Sequence, residues 1–363
     1  MTRAAVAAVT VTAALVLFTA APASATPNMI RLGYPTCASC HLSPQGGGLL
    51  TNYGKGIDAA QTLRPVDLSA EAGAEDLRRL PYDMKFSLGV DRDPPAASGY
   101  SFSSQARAAL AVSHRQYIVY GVSVGSPTLA RTRTSGAVSV RMSRLYWMYQ
   151  PKDGLNITVG RDSLPSGAGL LGFSRGTTSP SVSSNPTQAK VFWWNKRWQV
   201  TGYGFGPDGN ETDPRFEARG GGAIVGLNLS DRAVVGVTSR VSYADAYDRR
   251  NAGAFLRLGI TEHLGVLLEH DFTARTTDKG QHLQHVAGHS ELFYVPFDWL
   301  QLAMAAENVT TINGAHSYRF NPSAQVRLNR NVAVSFDTTD VYTGVAAGRS
   351  RTYSVQLSLK AVQ

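Results

Sequence analysis

Tyr353-Ser354-Val355-Gln356-Leu357-Ser358-Leu359-Lys360, close to the C-terminus, places an apolar or aromatic side chain at every odd position and a polar one at every even position. Side chains of an extended chain point to opposite faces in turn, so the stretch reads as a strand with one face for an apolar medium and one for water. The same split recurs upstream. Leu300, Leu302 and Met304 oppose Gln301, Ala303 and Glu307, and Ala233, Val235 and Val237 oppose Arg232, Gly236, Thr238 and Arg240. About sixteen such segments run from Tyr82 to the end, many of them about ten residues long, the length a tilted membrane-spanning strand needs.

The connections carry a second pattern. Ser113-His114-Arg115, 151–154, Asn195-Lys196-Arg197, Ser230-Asp231-Arg232, Thr261-Glu262-His263, Pro296-Phe297-Asp298 and Asn329-Arg330-Asn331 read as tight turns, and longer stretches such as 125–135, 162–186, 206–219 and 342–350 lie between them. Tight turns on one rim, longer loops on the other and an even strand number define an all-β, transmembrane antiparallel β-barrel of the outer-membrane type, with both termini periplasmic. A soluble propeller or sandwich is the competing architecture, but no blade-length repeat is visible. The chain ends Lys360-Ala361-Val362-Gln363, without the terminal aromatic residue of many barrels.

Composition agrees. Of 363 residues, 35 are Gly and 17% are charged, which suits turn-rich β architecture. No stretch past the N-terminus has the ~18 consecutive apolar residues of a spanning helix. At the N-terminus, Arg3, an apolar run over 4–18 and Ala23-Ser24-Ala25 form a signal-peptide pattern, with cleavage expected before Thr26. The expected organisation is a signal peptide at 1–25, a small segment at 26–81 and a barrel at 82–363. The net charge of +9 suits acidic lipid or an anion-attracting channel; for an exported chain, nucleic acid is not the expected partner.

Both cysteines of the chain fall in Cys37-Ala38-Ser39-Cys40-His41, a C-x-x-C-H pattern. Two thiols at this spacing reach the two vinyl groups of one haem, and the adjacent histidine falls beneath the iron as proximal ligand. One covalently bound haem c is therefore expected on Cys37, Cys40 and His41. A thioredoxin-like dithiol would need a βαβ context and a zinc site a second ligand pair. Between Leu42 and Pro81 there is no Met or His. The local candidates for the distal ligand are Met29 and Met84, each of which also reads as ordinary apolar packing. A barrel histidine or an open position would also serve. Residues 42–81 hold Gly46-Gly47-Gly48, Tyr53-Gly54 and a short helix candidate at 70–80, too little for a robust core without haem and a larger neighbour. A small haem-binding cap or plug on the barrel is the expected result.

The motif, with Pro44, Gly46-Gly47-Gly48-Leu49-Leu50 and Asn52-Tyr53-Gly54-Lys55-Gly56 directly before a long barrel, resembles the fused monohaem cytochrome c–porin family, whose members include outer-membrane iron oxidases. The resemblance covers the N-terminal segment specifically and the barrel only in general plan. It implies a haem at or in the mouth of a sixteen-stranded porin in the outer membrane lipid. It also implies an extracellular electron donor or acceptor such as iron and a periplasmic electron carrier. Any catalysis would then be cytochrome c-type, iron-oxidase-like oxidoreduction; no acid, base and nucleophile set for hydrolysis is visible.

The wet face of the strands is expected to carry Arg107, Arg141, Arg232, Arg240, Arg257 and Arg327, a basic lumen that favours anions or holds haem propionates. The connection 162–186, with Leu170, Leu171 and Phe173, is long enough to fold inward as a constriction. His282, His285 and His289 do not read as one metal site: on a strand, residues three apart face opposite ways and residues four apart are about 13 Å from each other. Asp208, Glu211 and Asp213 read as a polar loop with the option of an external cation. The alternative to electron transfer is a passive anion-selective porin with a structural haem cap.

Overall fold

The computed structural model describes residues 27–42, 49–51, 54, 82–92, 99–113, 115–125, 139–165, 185–207, 214–311, 316–329, 332–343 and 348–362. The strands are β1 (Tyr82–Arg92), β2 (Gly99–Ser113), β3 (Gln116–Gly125), β4 (Ser139–Lys152), β5 (Leu155–Arg161), β6 (Thr187–Trp194), β7 (Trp198–Phe205) and β8 (Arg219–Ser230) in the first half. The second half supplies β9 (Ala233–Ala244), β10 (Tyr247–Gly259), β11 (Leu264–Thr277), β12 (His282–Phe297), β13 (Leu300–Thr311), β14 (His316–Asn329), β15 (Val332–Thr343) and β16 (Gly348–Val362). Every strand pairs antiparallel with its sequence neighbours, and β1 pairs with β16 from Asp83↔Val362 to Arg92↔Tyr353, so the sheet closes. Closure removes the unpaired edges that an open sheet would present.

Strand ends alternate between two rims. One gathers the short connections 114–115, 153–154, 195–197, 231–232, 260–263, 298–299 and 330–331, together with the start of β1 and the end of β16. The opposite rim carries the long connections 126–138, 162–186 and 206–218, but after β8 its turns also become short, at 245–246, 278–281, 312–315 and 344–347. The sequence expectation of longer loops along that whole rim thus holds for its first half only. The wall is lowest where the connections are longest: β5, β6 and β7 have 7, 8 and 8 residues, against 13, 14 and 16 in β10, β11 and β12.

Burial is inverted relative to a water-soluble protein. Along β6, Gln188, Lys190 and Phe192 are buried while Val191 and Trp193 are exposed. Elsewhere the buried face holds Glu269, Thr273, His289, Glu291, Gln301 and Glu307, and the exposed face holds Leu292, Leu302, Met304 and Phe336. A polar lumen and an apolar outside are the surfaces a closed sheet needs between water and hydrocarbon. Trp193, Trp198, Phe297 and Trp299 are exposed by the short-turn rim, where the last two rings stack at 5.4 Å, and Tyr243, Tyr318 and Tyr342 are exposed towards the other rim. Such aromatic bands at two heights are the interfacial girdles of membrane barrels. Among the described residues no helix is long and apolar enough to cross a membrane.

The lumen also contains chain. The 3-10 turn Pro27–Leu32 lies against β10 and β11, and Ile30, 1% exposed, fills an inward pocket of Val234, Phe255, Leu267, Phe293 and Ala303. Leu49 packs on Ala109, Val119, Tyr146 and Met148, which belong to β2, β3 and β4 across the ring. The N-terminal segment therefore crosses the lumen from one wall to the other, next to the short-turn rim. The helix candidate at 70–80 lies outside the described residues.

Candidate haem site and lumen

Thr36 opens the motif as an N-cap: its Oγ1 accepts the Ala38 amide at 3.3 Å and starts the 3-10 turn Cys37–Ser39. The amides of Cys40 and His41 both donate to the Cys37 carbonyl, at 3.2 and 2.9 Å, which puts all three motif residues on one tight turn. The chain then folds back on itself. His41 bridges to Leu50, the Leu42 amide donates to the Leu49 carbonyl at 3.0 Å and the Thr51 amide donates to the Cys40 carbonyl at 2.9 Å. Gly54 follows because nothing larger fits: a Cβ there would lie 2.0 Å from the Cys40 carbonyl oxygen.

Barrel residues fix this hairpin in place. Gln199 on β7 donates to the Pro35 carbonyl at 3.0 Å, Arg31 donates to the Glu262 carbonyl, and Gly259 at the end of β10 lets the backbone of Ile30 and Arg31 approach the wall. Cys40 and His41 are 2% and 1% exposed, and the two thiols are not joined. Burial pushes the Cys37 thiol up, against the pull of Arg257, and burial with the neighbouring Cys37 pushes Cys40 up to about 11. Exchange-active dithiols need the reverse, an exposed thiol with a lowered pKa. Among the described residues no group of three or more His, Cys, Asp or Glu is placed to hold a metal ion.

The site suits a haem in chemistry as well as spacing. Arg257 acts electrostatically on Cys37; its Nη2 donates to Gln199 at 3.0 Å, while its Nε is buried with no partner among the described residues, a donor of the kind that a haem propionate would use. Met29 is buried in the same segment, so it stays a local candidate for the distal position; Met84 sits in β1 opposite Ala361, and its side chain lies outside the described residues.

The expected basic lumen is only part of the picture. Arg240 and Arg257 are on the inward face, and Arg107 donates to Gln105 at 3.0 Å. Arg327 acts electrostatically on Arg31 of the lumen segment, and the side chain of Arg141 lies outside the described residues. Arg232 is a correction: it is exposed in the turn 231–232, because the turn takes that position out of the strand register. His285 and His289 share the inward face and His282 does not. His289, fully buried, lies 3.3 Å from Glu307 and 3.4 Å from Glu291, and Arg319 also pairs with Glu307 at 3.3 Å. Acidic groups on β12 and β13 are thus matched by bases.

Asp162, at the start of the long connection, pairs with Lys190 and, at 3.4 Å, with Arg144. The next residues turn inward: Leu164 packs on the cluster of Tyr203, Phe205 and Tyr247, and Arg240 donates to the Pro165 carbonyl at 3.3 Å. Leu170, Leu171 and Phe173, like Asp208, Glu211 and Asp213, lie outside the described residues. Sequence reasoning missed Arg249 and Arg275, which stand on this inward face; Arg249 shares its strand parity with Arg257, and that was the available signal.

Among solved structures, the chain is similar to the loop L8 deletion mutant of OmpT, an outer membrane protein of Vibrio cholerae. The identity is 11% and the TM-score 0.63, over 78% of this chain and 99% of that one. The chain has the fold of an outer-membrane porin. An anion-selective porin from Comamonas acidovorans is similar at 10% identity and TM-score 0.55, over 78% of this chain and 99% of that one. The outer membrane channel DcaP of Acinetobacter baumannii is similar at 7% identity and TM-score 0.56, over 77% and 96%. No family model and no curated protein matches the sequence. About a fifth of this chain has no counterpart in the three porin-like structures, whose match covers at most 78% of it.

Proposed function

We propose that the chain is a porin-type barrel of the bacterial outer membrane that takes anions at its long-loop mouth and is narrowed, not sealed, at its short-turn mouth by a plug segment carrying one haem c. The observation that carries this reading is that residues 27–42 and 49–51 lie in the lumen, with Ile30 docked on β9 to β13 and Leu49 on β2 to β4. The apolar outer face between two aromatic bands supports the membrane. The even strand count, with β1 starting and β16 ending at the short-turn rim, supports periplasmic termini. Anion preference is supported by Arg249 and Arg275, which among the described residues have no ion pair, whereas Lys190 and His289 do.

A second reading, electron transfer, is favoured by the C-x-x-C-H turn, whose Cys40 and His41 are buried. Bound haem would supply one-electron chemistry whose potential depends on ligation and burial. Cys37 and Cys40 would tether it, His41 would hold the iron from the proximal side, and the barrel would exclude bulk water. An external donor such as ferrous iron and a periplasmic carrier would be the partners.

The two readings separate in one experiment. The full chain is matured in a host that attaches haem c, taken from the outer membrane and placed in a planar bilayer, and haem spectra are followed with an impermeant donor. Anion-selective conductance with a haem that the donor does not reduce is the expected result. A sealed barrel whose haem is reduced by the donor overturns the channel and leaves the conduit.

A further inference from the structure

A cluster near the long-loop rim belongs to neither the plug nor the motif. Arg249 on β10 and Arg275 on β11 are cross-strand partners, and both guanidinium groups lie over the Tyr247 ring, with Cζ 4.8 and 4.3 Å from its centroid. Arg249 is 4% exposed, yet among the described residues its Nε and Nη1 are buried with no hydrogen-bond partner, as is Nε of Arg275. Ser242, which faces Arg249 from β9, is fully buried, and its hydroxyl also has no partner among the described residues. Two like charges held side by side, one of them buried and the other partly so, with three donor nitrogens unused among the described residues, cost stability unless something of opposite charge completes them. Asp245 and Asp248 do not do so, since both are exposed.

We infer that Arg249, Arg275 and Ser242 form a binding site for a small oxyanion, a carboxylate or a phosphate, just inside the long-loop mouth. Guanidinium donors in a fixed fork match the oxygens of these groups, and a hydroxyl adds a third direction that a spherical halide does not use. Tyr247 stabilises both cations through its ring face and holds them in position before the ligand arrives. Tyr247 and its partner Thr277 end their strands at the rim, so an incoming anion meets this site early. The role of the site, a station on the way in, rests on the anion-channel reading; its existence rests on the geometry alone.

Calorimetric titration of the full-length protein in detergent at low ionic strength, with inorganic phosphate and separately with acetate, tests it. Saturable binding of at least one of them is expected, and the tighter one identifies the ligand class. Arg249→Gln and the less buried Arg275→Gln should each weaken binding about tenfold or more, the loss of a charge-assisted hydrogen bond. Lys196→Gln at the opposite rim should leave it unchanged. Wild-type protein that binds neither anion, or binding that Lys196→Gln weakens as much as the arginine variants, overturns the site. Binding without any bilayer conductance would refute the channel and keep the site.

Discussion

Gly259→Ala probes the docking of the plug without touching the plug itself. An added Cβ would lie 2.5 Å from the Arg31 Cα and 2.7 Å from the Ile30 carbonyl oxygen, backbone atoms that cannot rotate away. Alanine is otherwise acceptable in a strand, so the strain falls on the contact between wall and segment. Relieving it means withdrawing Ile30, 1% exposed, from its pocket, at about 1.5–3 kcal/mol for a side chain of that size. At about 2 kcal/mol the undocked population rises roughly thirtyfold. Arg31 is a trypsin site that is 8% exposed when docked, so its cleavage rate in the folded barrel reports that population. Faster cleavage at Arg31 is expected in Gly259→Ala. Gly202→Ala, where an added Cβ meets nothing within 4 Å, should cleave at the wild-type rate. Equal cleavage in all three proteins would refute the docking of Ile30 and Arg31 on β10.

Gly54→Ala should disturb the motif turn, since the new Cβ would lie 2.0 Å from the Cys40 carbonyl oxygen; a cost of about 1–3 kcal/mol is expected. It would be read as a changed haem potential and a lower yield of loaded protein, and an unchanged redox titration would count against the close approach. Met304→Arg, on the apolar outer face, should cost about 2–4 kcal/mol in refolding into vesicles if that face meets lipid, and under about 0.5 kcal/mol if it meets water. Asp162 supplies the pH dependence. Burial alone would raise its pKa, but Lys190 and Arg144 outweigh burial, so the net direction is down. A carboxylate lowered on folding adds stability above its unfolded value of about 3.9 and loses it as pH falls through the folded value. Thermal unfolding should therefore show an acid loss below about pH 4 that Asp162→Asn lacks, while the variant is weaker at neutral pH by about 3–5 kcal/mol because Lys190 loses its buried counter-charge. Parallel acid profiles would sink this assignment.

The barrel was legible because lipid outside and water inside force a two-residue period on each strand: Leu302 and Met304 are out, Gln301 and Ala303 in, as their sequence reads. The docking pocket was hidden by the same rule. Phe293 points inward between the outward Leu292 and Tyr294, so both faces of β12 are apolar near the short-turn rim, and periodicity alone does not say what a second apolar face is for. Its partner, Ile30, is more than two hundred residues away in sequence and lies in no strand. Arg232 was misassigned because a strand pattern extends smoothly into a two-residue turn. Arg249 and Arg275 escaped notice because nothing in one dimension shows that they are paired across Tyr247 with unused donors.

The most direct test of the account is the mass of the N-terminal peptide from protein purified out of the outer membrane of a haem-maturing host. A folded barrel whose peptide holding Cys37 and Cys40 carries the mass of one haem, with both thiols blocked to alkylation, is the expected result. A folded barrel in that membrane with both thiols free would contradict the haem-bearing plug.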